Sequence, residues 1–218
     1  MVFPERENDL YVFYQCLPLW MEPKRQIANL AICRKTVIMS IKERGGGMHL
    51  ETERLILRKP EMTDVEDYLE FINSEFVMRY NAMMPVSREK AERQFADAGD
   101  DFSTIAMEYK QTGKVIGMIY VGEDSLRFGV NSKEISYFLR EDESRKGYMK
   151  EALGAVIAHF FETEALTCIA ARCFAPNVAS QRLLESLGFR RDGVVRKCVK
   201  GYGGVVFDDC LYSLLRIS

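Results

Sequence analysis

Residues 133–164 predict a β-strand, a short polar loop and a long amphipathic helix in direct succession, and this unit limits the possible folds more than any other part of the chain. The strand is predicted over residues 134–139 and the loop over residues 140–146. Apolar side chains then recur at helical spacing, which predicts a helix with one side against a core. These side chains are Met149, Ala152, Leu153, Val156, Ile157, Phe160 and Phe161.

The loop ahead of this helix has the composition of an anion site. Arg145 and Lys146 supply two positive charges, and Gly147 allows a bound group to approach the backbone closely. The first turn of a helix also has N–H groups without partners and lies at the positive end of the helix dipole. The sequence therefore predicts a phosphate-binding loop at the start of this helix.

Composition excludes several classes of protein. The 218 residues are 47% hydrophobic, enough for one core, and the net charge of -2 gives no reason to expect nucleic-acid binding. No apolar run is long enough to span a membrane. Two histidines leave little for a metal site, and six scattered cysteines without a C-x-x-C pair are typical of reduced thiols in a cytoplasmic protein.

Residues 1–47 differ from the rest of the chain. They show no sustained period of a helix or a strand, and they end in three glycines immediately before Met48. We therefore predict an N-terminal extension over residues 1–47 and a single folded domain over residues 48–218. The extension is either disordered, translated from a start upstream of the natural Met48, or packed on the domain.

After Met48 the predicted order of elements is β-α-α-β-β-β-α-β-α-β-β. The predicted strands cover residues 54–59, 104–109, 115–121, 134–139, 166–173, 189–199 and 205–215. The early helices are predicted over residues 63–80 and 87–98, and the last helix over residues 178–187, with Gly188 closing it.

This order, and three motifs within residues 50–215, resemble the GNAT superfamily of N-acetyltransferases and its ribosomal-protein N-acetyltransferase branch. The acyl-CoA loop pattern Q/R-x-x-G-x-G/A falls on residues 144–149, where only Gly147 matches, but the branch's form G-Y-[AM]-x-E-A fits residues 147–152. The pattern E-I-G-Y is present with Ser136 in place of glycine. The pattern N-x-x-S-x-x-x-L-x-x-x-G-F is complete, at Asn177, Ser180, Leu184, Gly188 and Phe189.

The resemblance implies a GNAT fold of the α/β (α+β) class, with a mixed, mostly antiparallel central sheet that is splayed at the acyl-CoA site and flanked by helices. The strands before and after the long helix would separate there, and the pantetheine arm of acetyl-CoA would lie between them. The arm would bond mainly to the main chains of Phe138, Leu139 and Arg140, and farther along to Asn177. The pyrophosphate would bind the N–H groups of Arg145, Lys146, Gly147, Tyr148 and Met149.

The resemblance also implies an acyl-transfer chemistry. Glu134 is the candidate general base, acting through water, and an N–H near Leu139 is the candidate oxyanion donor. Many relatives protonate the leaving thiolate with a tyrosine at the position that Leu184 occupies here. Ser180 is the candidate for that role, and Tyr148 and Tyr202 are alternatives.

The expected function is acetyl-CoA-dependent N-acetylation of a primary amine, such as the N-terminus of a ribosomal protein, without a metal, by a monomer or homodimer. One alternative is a small acceptor such as a polyamine or an aminoglycoside. Another is a non-catalytic acyl-CoA-binding regulatory module, which the missing tyrosine would favour.

Overall fold

The computed structural model describes residues 40–41 and 49–216. Nine strands of this part of the chain form a single sheet. In chain order they are β1 (Ser40–Ile41), β2 (His49–Glu51), β3 (Leu55–Arg58), β4 (Thr104–Tyr109), β5 (Lys114–Glu123), β6 (Ser132–Leu139), β7 (Cys168–Phe174), β8 (Arg190–Lys200) and β9 (Val206–Leu215).

Five α-helices of the described residues surround this sheet. They are α1 (Val65–Ile72), α2 (Glu75–Met78), α3 (Arg88–Ala96), α4 (Tyr148–Thr163) and α5 (Val178–Ser186). Short 3₁₀ turns lie at Met62–Asp64 and Tyr202–Gly204. The predicted order of strands and helices after residue 54 is confirmed, except that two helices stand where the first was predicted.

The sheet is mixed but mostly antiparallel, as predicted. Its strand order is β1-β2-β3-β4-β5-β6-β7-β9-β8, and every neighbouring pair is antiparallel except β6 and β7. The parallel pair exists because α4 carries the chain from the end of β6 back to the start of β7.

Each face of the sheet has its own apolar core. On one face α4 and α5 pack over the strands, and the core there includes Leu153, Val156 and Leu184. On the other face α1, α2 and α3 cover β4 and β5, with Tyr68 and Met118 at the centre. The predicted stripe of α4 is confirmed, since Met149, Ala152, Leu153, Val156, Ile157 and Phe160 are buried and Phe161 is partly buried.

The first predicted helix is wrong in its extent. The expected single helix over residues 63–80 breaks at Asn73 and Ser74 into α1 and α2. The side-chain amide of Asn73 donates to the carbonyl oxygen of Val86 at 2.9 Å and accepts from the N–H of Val86 at 2.8 Å. Ser74 caps α2 by accepting from the N–H of Val77. These local bonds compete with helix continuation.

The strands β1 and β2 were not predicted. β2 has only three residues, too few for a periodic pattern, yet it pairs with β3 in the register that places Leu50 opposite Leu57. β1 pairs with β2 and precedes the expected boundary at Met48. Apart from residues 40–41, the predicted extension lies outside the described residues, and the boundary stays a prediction.

Candidate active site

The strands β6 and β7 pair only along their first halves. Ser132 lies opposite Cys168, and the last pair is Ile135 with Ala171. β6 then continues to Leu139 while β7 continues in its pairing with β9. Among the described residues no strand fills the space between them. We call this opening the gap. It is the predicted splay of the sheet.

The main-chain N–H of Leu139 on β6 points into the gap. The N–H of Arg140 donates to the carbonyl oxygen of Ile116 at 2.9 Å, and the next pair along the ladder is Gly117 with Leu139. Hydrogen-bonded and non-hydrogen-bonded pairs alternate in an antiparallel ladder, so the N–H of Leu139 points away from β5. The N–H of Leu139 is therefore free to donate in the gap, and its roles as oxyanion donor and pantetheine contact stay predictions.

The main chains of Phe138 and Arg140 face β5 instead. The same alternation directs the N–H of Phe138 toward Met118, and its side chain packs against the core under α1. The Arg140 guanidinium lies 2.8 Å from Glu70 and 3.1 Å from Asp142, beside a surface cavity of about 380 Å³. Of these three residues, Leu139 is thus the one whose N–H group can donate a hydrogen bond in the gap.

The loop before α4 has the open backbone expected of an anion site. Gly147 caps α4 with φ of 85°, and Arg145 is also left-handed at φ of 60°. Among residues 49–216, no atom accepts a hydrogen bond from the N–H groups of residues 145–149. The side chains of Tyr148 and Met149 are buried, so these two residues can contribute to anion binding only through their main chain.

An ion pair that the sequence analysis missed holds this loop in place. Arg54 lies 2.7 Å from the carboxylate of Glu151, donates to the carbonyl oxygen of Lys146 at 3.0 Å and sits 4.4 Å above the ring of Tyr148. Glu151 also accepts from the hydroxyl of Thr52 at 2.6 Å. Burial opposes ionisation of Glu151, but the hydrogen bonds from Thr52 and Arg54 outweigh it and lower its pKa.

The two predicted loop cations differ in their surroundings. Arg145 is exposed and forms no ion pair with any residue between 49 and 216. Lys146 is also exposed, but its ammonium lies 3.0 Å from Glu143. Arg145 therefore remains the more available charge for an anion at the start of α4.

The predicted motif at the start of α5 forms a hydrogen-bonded unit. Asn177 caps the helix by accepting from the N–H of Ser180 at 3.2 Å. The hydroxyl oxygen of Ser180 is 2.7 Å from that of Tyr137, whose side chain reaches α5 from the unpaired half of β6. Burial raises the pKa of Tyr137, and it raises that of the neighbouring Cys173 thiol to about 12, so both stay protonated at neutral pH.

The alternative thiolate donors are less well placed than Ser180. Leu184 has an aliphatic side chain that is fully buried in the core, and it offers no hydroxyl to the gap. Tyr148 is buried beneath Arg54, away from α5, and Tyr202 is exposed in the turn between β8 and β9.

Glu134 lies on the opposite face of the sheet from α4. Burial raises the pKa of its carboxyl, Arg172 pulls it partly back, and Asp124 and Asp209 raise it further. Among the described residues no donor bonds to this carboxylate, so it is free to contact a substrate or a water. A carboxylate with a raised pKa is a stronger base than an exposed one.

Aromatic side chains border the same face. Phe174 and Phe207 stack with ring centroids 4.8 Å apart, and Tyr80 contacts both rings edge-on. The loop after α2 meets the final hairpin here, since the N–H of Tyr202 donates to the carbonyl oxygen of Asn81 at 2.8 Å. The gap thus has α5 on one side and an aromatic mouth on the other.

Comparison with known proteins decides the family. A family model described as "Acetyltransferase (GNAT) domain" matches residues 54–190. This chain belongs to the GNAT acetyltransferase family. It is 31% identical over 173 residues to the N-acetyltransferase YoaA of Bacillus subtilis strain 168, covering 77% of this chain and 96% of that protein.

Two solved structures confirm the GNAT fold. A GNAT-family acetyltransferase from Bacillus anthracis superimposes with a TM-score of 0.69 at 27% identity, covering 77% of this chain and 98% of the other. A ribosomal-protein-S5-alanine acetyltransferase from Vibrio fischeri gives 0.68 at 20% identity, with coverage of 77% and 96%. The protein is therefore an N-acetyltransferase, and enzymes of this family use acetyl-CoA.

Sequence reasoning about this GNAT enzyme missed four polar residues near the gap. Glu151 and Tyr137 stand inside quoted motifs, but nothing in a motif says which partners they bind. Arg54 and Arg172 have no motif, and only the folded chain brings them to the site. Across residues 49–216 no helix is long and apolar enough to cross a membrane, and no three potential ligand side chains are grouped for a metal ion.

Proposed function

We propose that this enzyme transfers the acetyl group of acetyl-CoA to a primary amine, with a protein N-terminus as the acceptor. The observation that carries the proposal is the gap between β6 and β7, which opens beside the free N–H groups at the start of α4. A thioester in the gap would lie near Leu139, while the pyrophosphate would reach residues 145–149.

The cofactor contacts follow from this placement. The N–H groups of Arg145, Lys146, Gly147, Tyr148 and Met149 would bind the pyrophosphate, helped by the exposed Arg145 charge. The pantetheine arm would then act as a strand beside β6 and accept the N–H of Leu139. Asn177 is tied to the start of α5 and would meet the arm on that side.

The chemistry requires three groups. The ammonium is the form of the substrate that predominates at neutral pH. Glu134 would take a proton from it through water. The Leu139 N–H would stabilise the tetrahedral oxyanion. As the carbon–sulfur bond breaks, Ser180 would donate to the thiolate while accepting from Tyr137.

Access to the acceptor face supports a peptide. The aromatic mouth formed by Tyr80, Phe174 and Phe207 is bordered by two chain segments, the loop after α2 and the final hairpin. A peptide acceptor would lie between these two segments with its N-terminus toward Glu134. The V. fischeri neighbour is named for acetylating a ribosomal protein, and at its level of identity it supports the fold alone.

The decisive experiment measures thiol release from acetyl-CoA with a panel of acceptors: N-terminal peptides of ribosomal proteins, spermidine and an aminoglycoside. We expect release with peptides and a mass gain of one acetyl group at the N-terminus. Calorimetry with acetyl-CoA alone provides the binding control. Tight binding without release for any amine would favour the regulatory module instead.

The activity is proposed to reside in residues 48–218, in the cytoplasm. A protein that starts at Met48 keeps β2 to β9 and all five described helices, and lacks only β1 among the described elements. It should bind acetyl-CoA as well as the full chain does. Loss of binding would show that the preceding residues belong to the active domain.

A further inference from the structure

A second charged group faces the acceptor side of the gap beside Glu134. Arg172 is the first residue of β7 beyond its last pair with β6. Ala171 and Cys173 pack into the core under α4 and α5, and side chains alternate along a strand, so Arg172 projects from the opposite face. That is the face with Glu134 and the aromatic mouth.

The Arg172 guanidinium is fixed at one edge and open at the other. Its Nε lies 2.7 Å and its Nη2 2.6 Å from the same carboxylate oxygen of Asp209, a residue that is 2% exposed. Nη2 also donates to the Cys198 sulfur at 3.4 Å, but within residues 49–216 no atom accepts a hydrogen bond from Nη1, and the side chain is 28% exposed. A buried carboxylate thus orients a donor whose free edge can meet a ligand.

Glu134 and Arg172 stand diagonally across the mouth of the gap. Glu134 lies opposite Ala170 in the parallel register, two residues before Arg172, which is about 6.6 Å along the strand. The two charges interact, since each shifts the pKa of the other. A substrate amine held near the Glu134 carboxylate would therefore have its neighbouring atoms near the free edge of Arg172.

We infer that Arg172 selects acceptors whose reactive amine has a carbonyl or carboxylate oxygen on the adjacent carbon, as in a peptide N-terminus or a free amino acid. This inference rests on the proposed function and specifies the acceptor of the same site. Guanidinium donors match such oxygens in charge and geometry. A second ammonium near the first, as in a polyamine, would instead be repelled by Arg172.

Matched small acceptors test this without altering the enzyme. L-Alaninamide has a carbonyl beside its amine, L-alanine a carboxylate, and sec-butylamine an ethyl group in the same place. kcat/KM for acetylation, referred to the neutral amine at each pH, should be about 10- to 100-fold higher for one or both oxygen-bearing acceptors than for sec-butylamine. Preference for alaninamide would identify peptides as the source, and preference for alanine would identify free amino acids.

A pair of variants assigns the preference to Arg172. Arg172→Lys keeps a positive charge beside Asp209 but loses the free guanidinium edge, so the ratio between oxygen-bearing acceptor and sec-butylamine should fall toward one. Arg58→Lys is the matched control, because Arg58 is likewise paired with acidic residues, Asp64 and Glu108, but lies on β3, which three strands separate from β7. The control should keep the ratio of the unaltered enzyme.

The outcomes separate the inference from the proposed function. Equal kcat/KM for all three acceptors, or a preference that persists in Arg172→Lys, would overturn the role of Arg172 and leave the acetyltransferase function standing. No thiol release with these acceptors or with any peptide, from a folded protein that binds acetyl-CoA, would overturn both. Because the readout is a ratio, a general loss of stability in the variant does not mimic the expected result.

Discussion

The hydroxyl oxygens of Tyr137 on β6 and Ser180 on α5 lie 2.7 Å apart across the gap. Because burial raises the pKa of Tyr137, its phenol stays protonated and can donate to Ser180. The proton of Ser180 is then free to point at a sulfur atom in the gap. Two hydroxyls would thus provide what a single tyrosine at the position of Leu184 provides in many relatives.

The first prediction concerns this hydroxyl pair. Ser180→Ala and Tyr137→Phe should each lower kcat by roughly 10-fold, the value of one hydrogen bond to a charged group, with the greater loss at high pH, where solvent is a poorer proton donor. The double variant should be no slower than Ser180→Ala, since the two hydroxyls act as one unit. Steady-state rates from pH 6 to 9 provide the measurement.

A serine elsewhere on the same helix supplies the control. Ser186 is exposed and bonds only to the carbonyl oxygen of Leu183 among the described residues, so Ser186→Ala should leave kcat unchanged. Equal losses of acetyl-CoA affinity and rate in Ser180→Ala would make Ser180 a binding residue and contradict the donor role.

The second prediction concerns Glu134. Glu134→Gln should keep acetyl-CoA affinity and lower the rate about 10²–10⁴-fold near neutral pH, the usual effect of losing a general base. The base must be ionised, so the native rate falls as pH decreases through the pKa of Glu134, which burial raises. The defect should shrink below that pKa, and also above the pKa of the substrate amine, where no base is needed.

The exposed carboxylate of Glu123 at the end of β5 offers the matched comparison. Glu123→Gln should have the native pH profile. A native rate for Glu134→Gln at pH 7 would transfer the role of base to another group.

The third prediction concerns the anion site. Gly147→Glu should weaken CoA binding by roughly 100-fold, because a carboxylate would compete for the donors that face the pyrophosphate. The left-handed φ of 85° should also make Gly147→Ala about 1 kcal/mol less stable. Gly154→Glu is the control, since a Cβ at Gly154 meets no atom within 4 Å. Calorimetry that gave equal CoA affinity for both glutamate variants would exclude the loop as the pyrophosphate site.

The fourth prediction concerns the brace formed by Arg54 and Glu151. The pKa of Glu151 is lowered in the folded protein, so its contribution to stability is present above the ordinary pKa of glutamate and is lost as pH falls through the folded-state pKa. Glu151→Gln should therefore cost about 2 kcal/mol of unfolding free energy at pH 7 and clearly less at pH 3. Urea denaturation at both pH values checks this, and a cost independent of pH would contradict the ionised brace.

The sequence was informative where the signal is local or periodic. The stripe of α4 and the turn at Gly188 follow from spacing and residue type, and the structure confirms them. It was uninformative where a contact joins distant residues. Asn73 breaks the first helix through Val86, and Arg54 reaches Glu151 across 97 positions, so neither is visible in any window of residues.

The short parallel contact between β6 and β7 divides the sheet into two slabs. Four residue pairs hold β1–β6 to β7–β9–β8 within the sheet itself, and beyond them the two slabs have no shared ladder. A cofactor bound in the gap would therefore link the two slabs where no backbone hydrogen bonds join them. Saturating acetyl-CoA should then raise the melting temperature and slow amide exchange in β6 and β7 together, because one ligand ties both slabs.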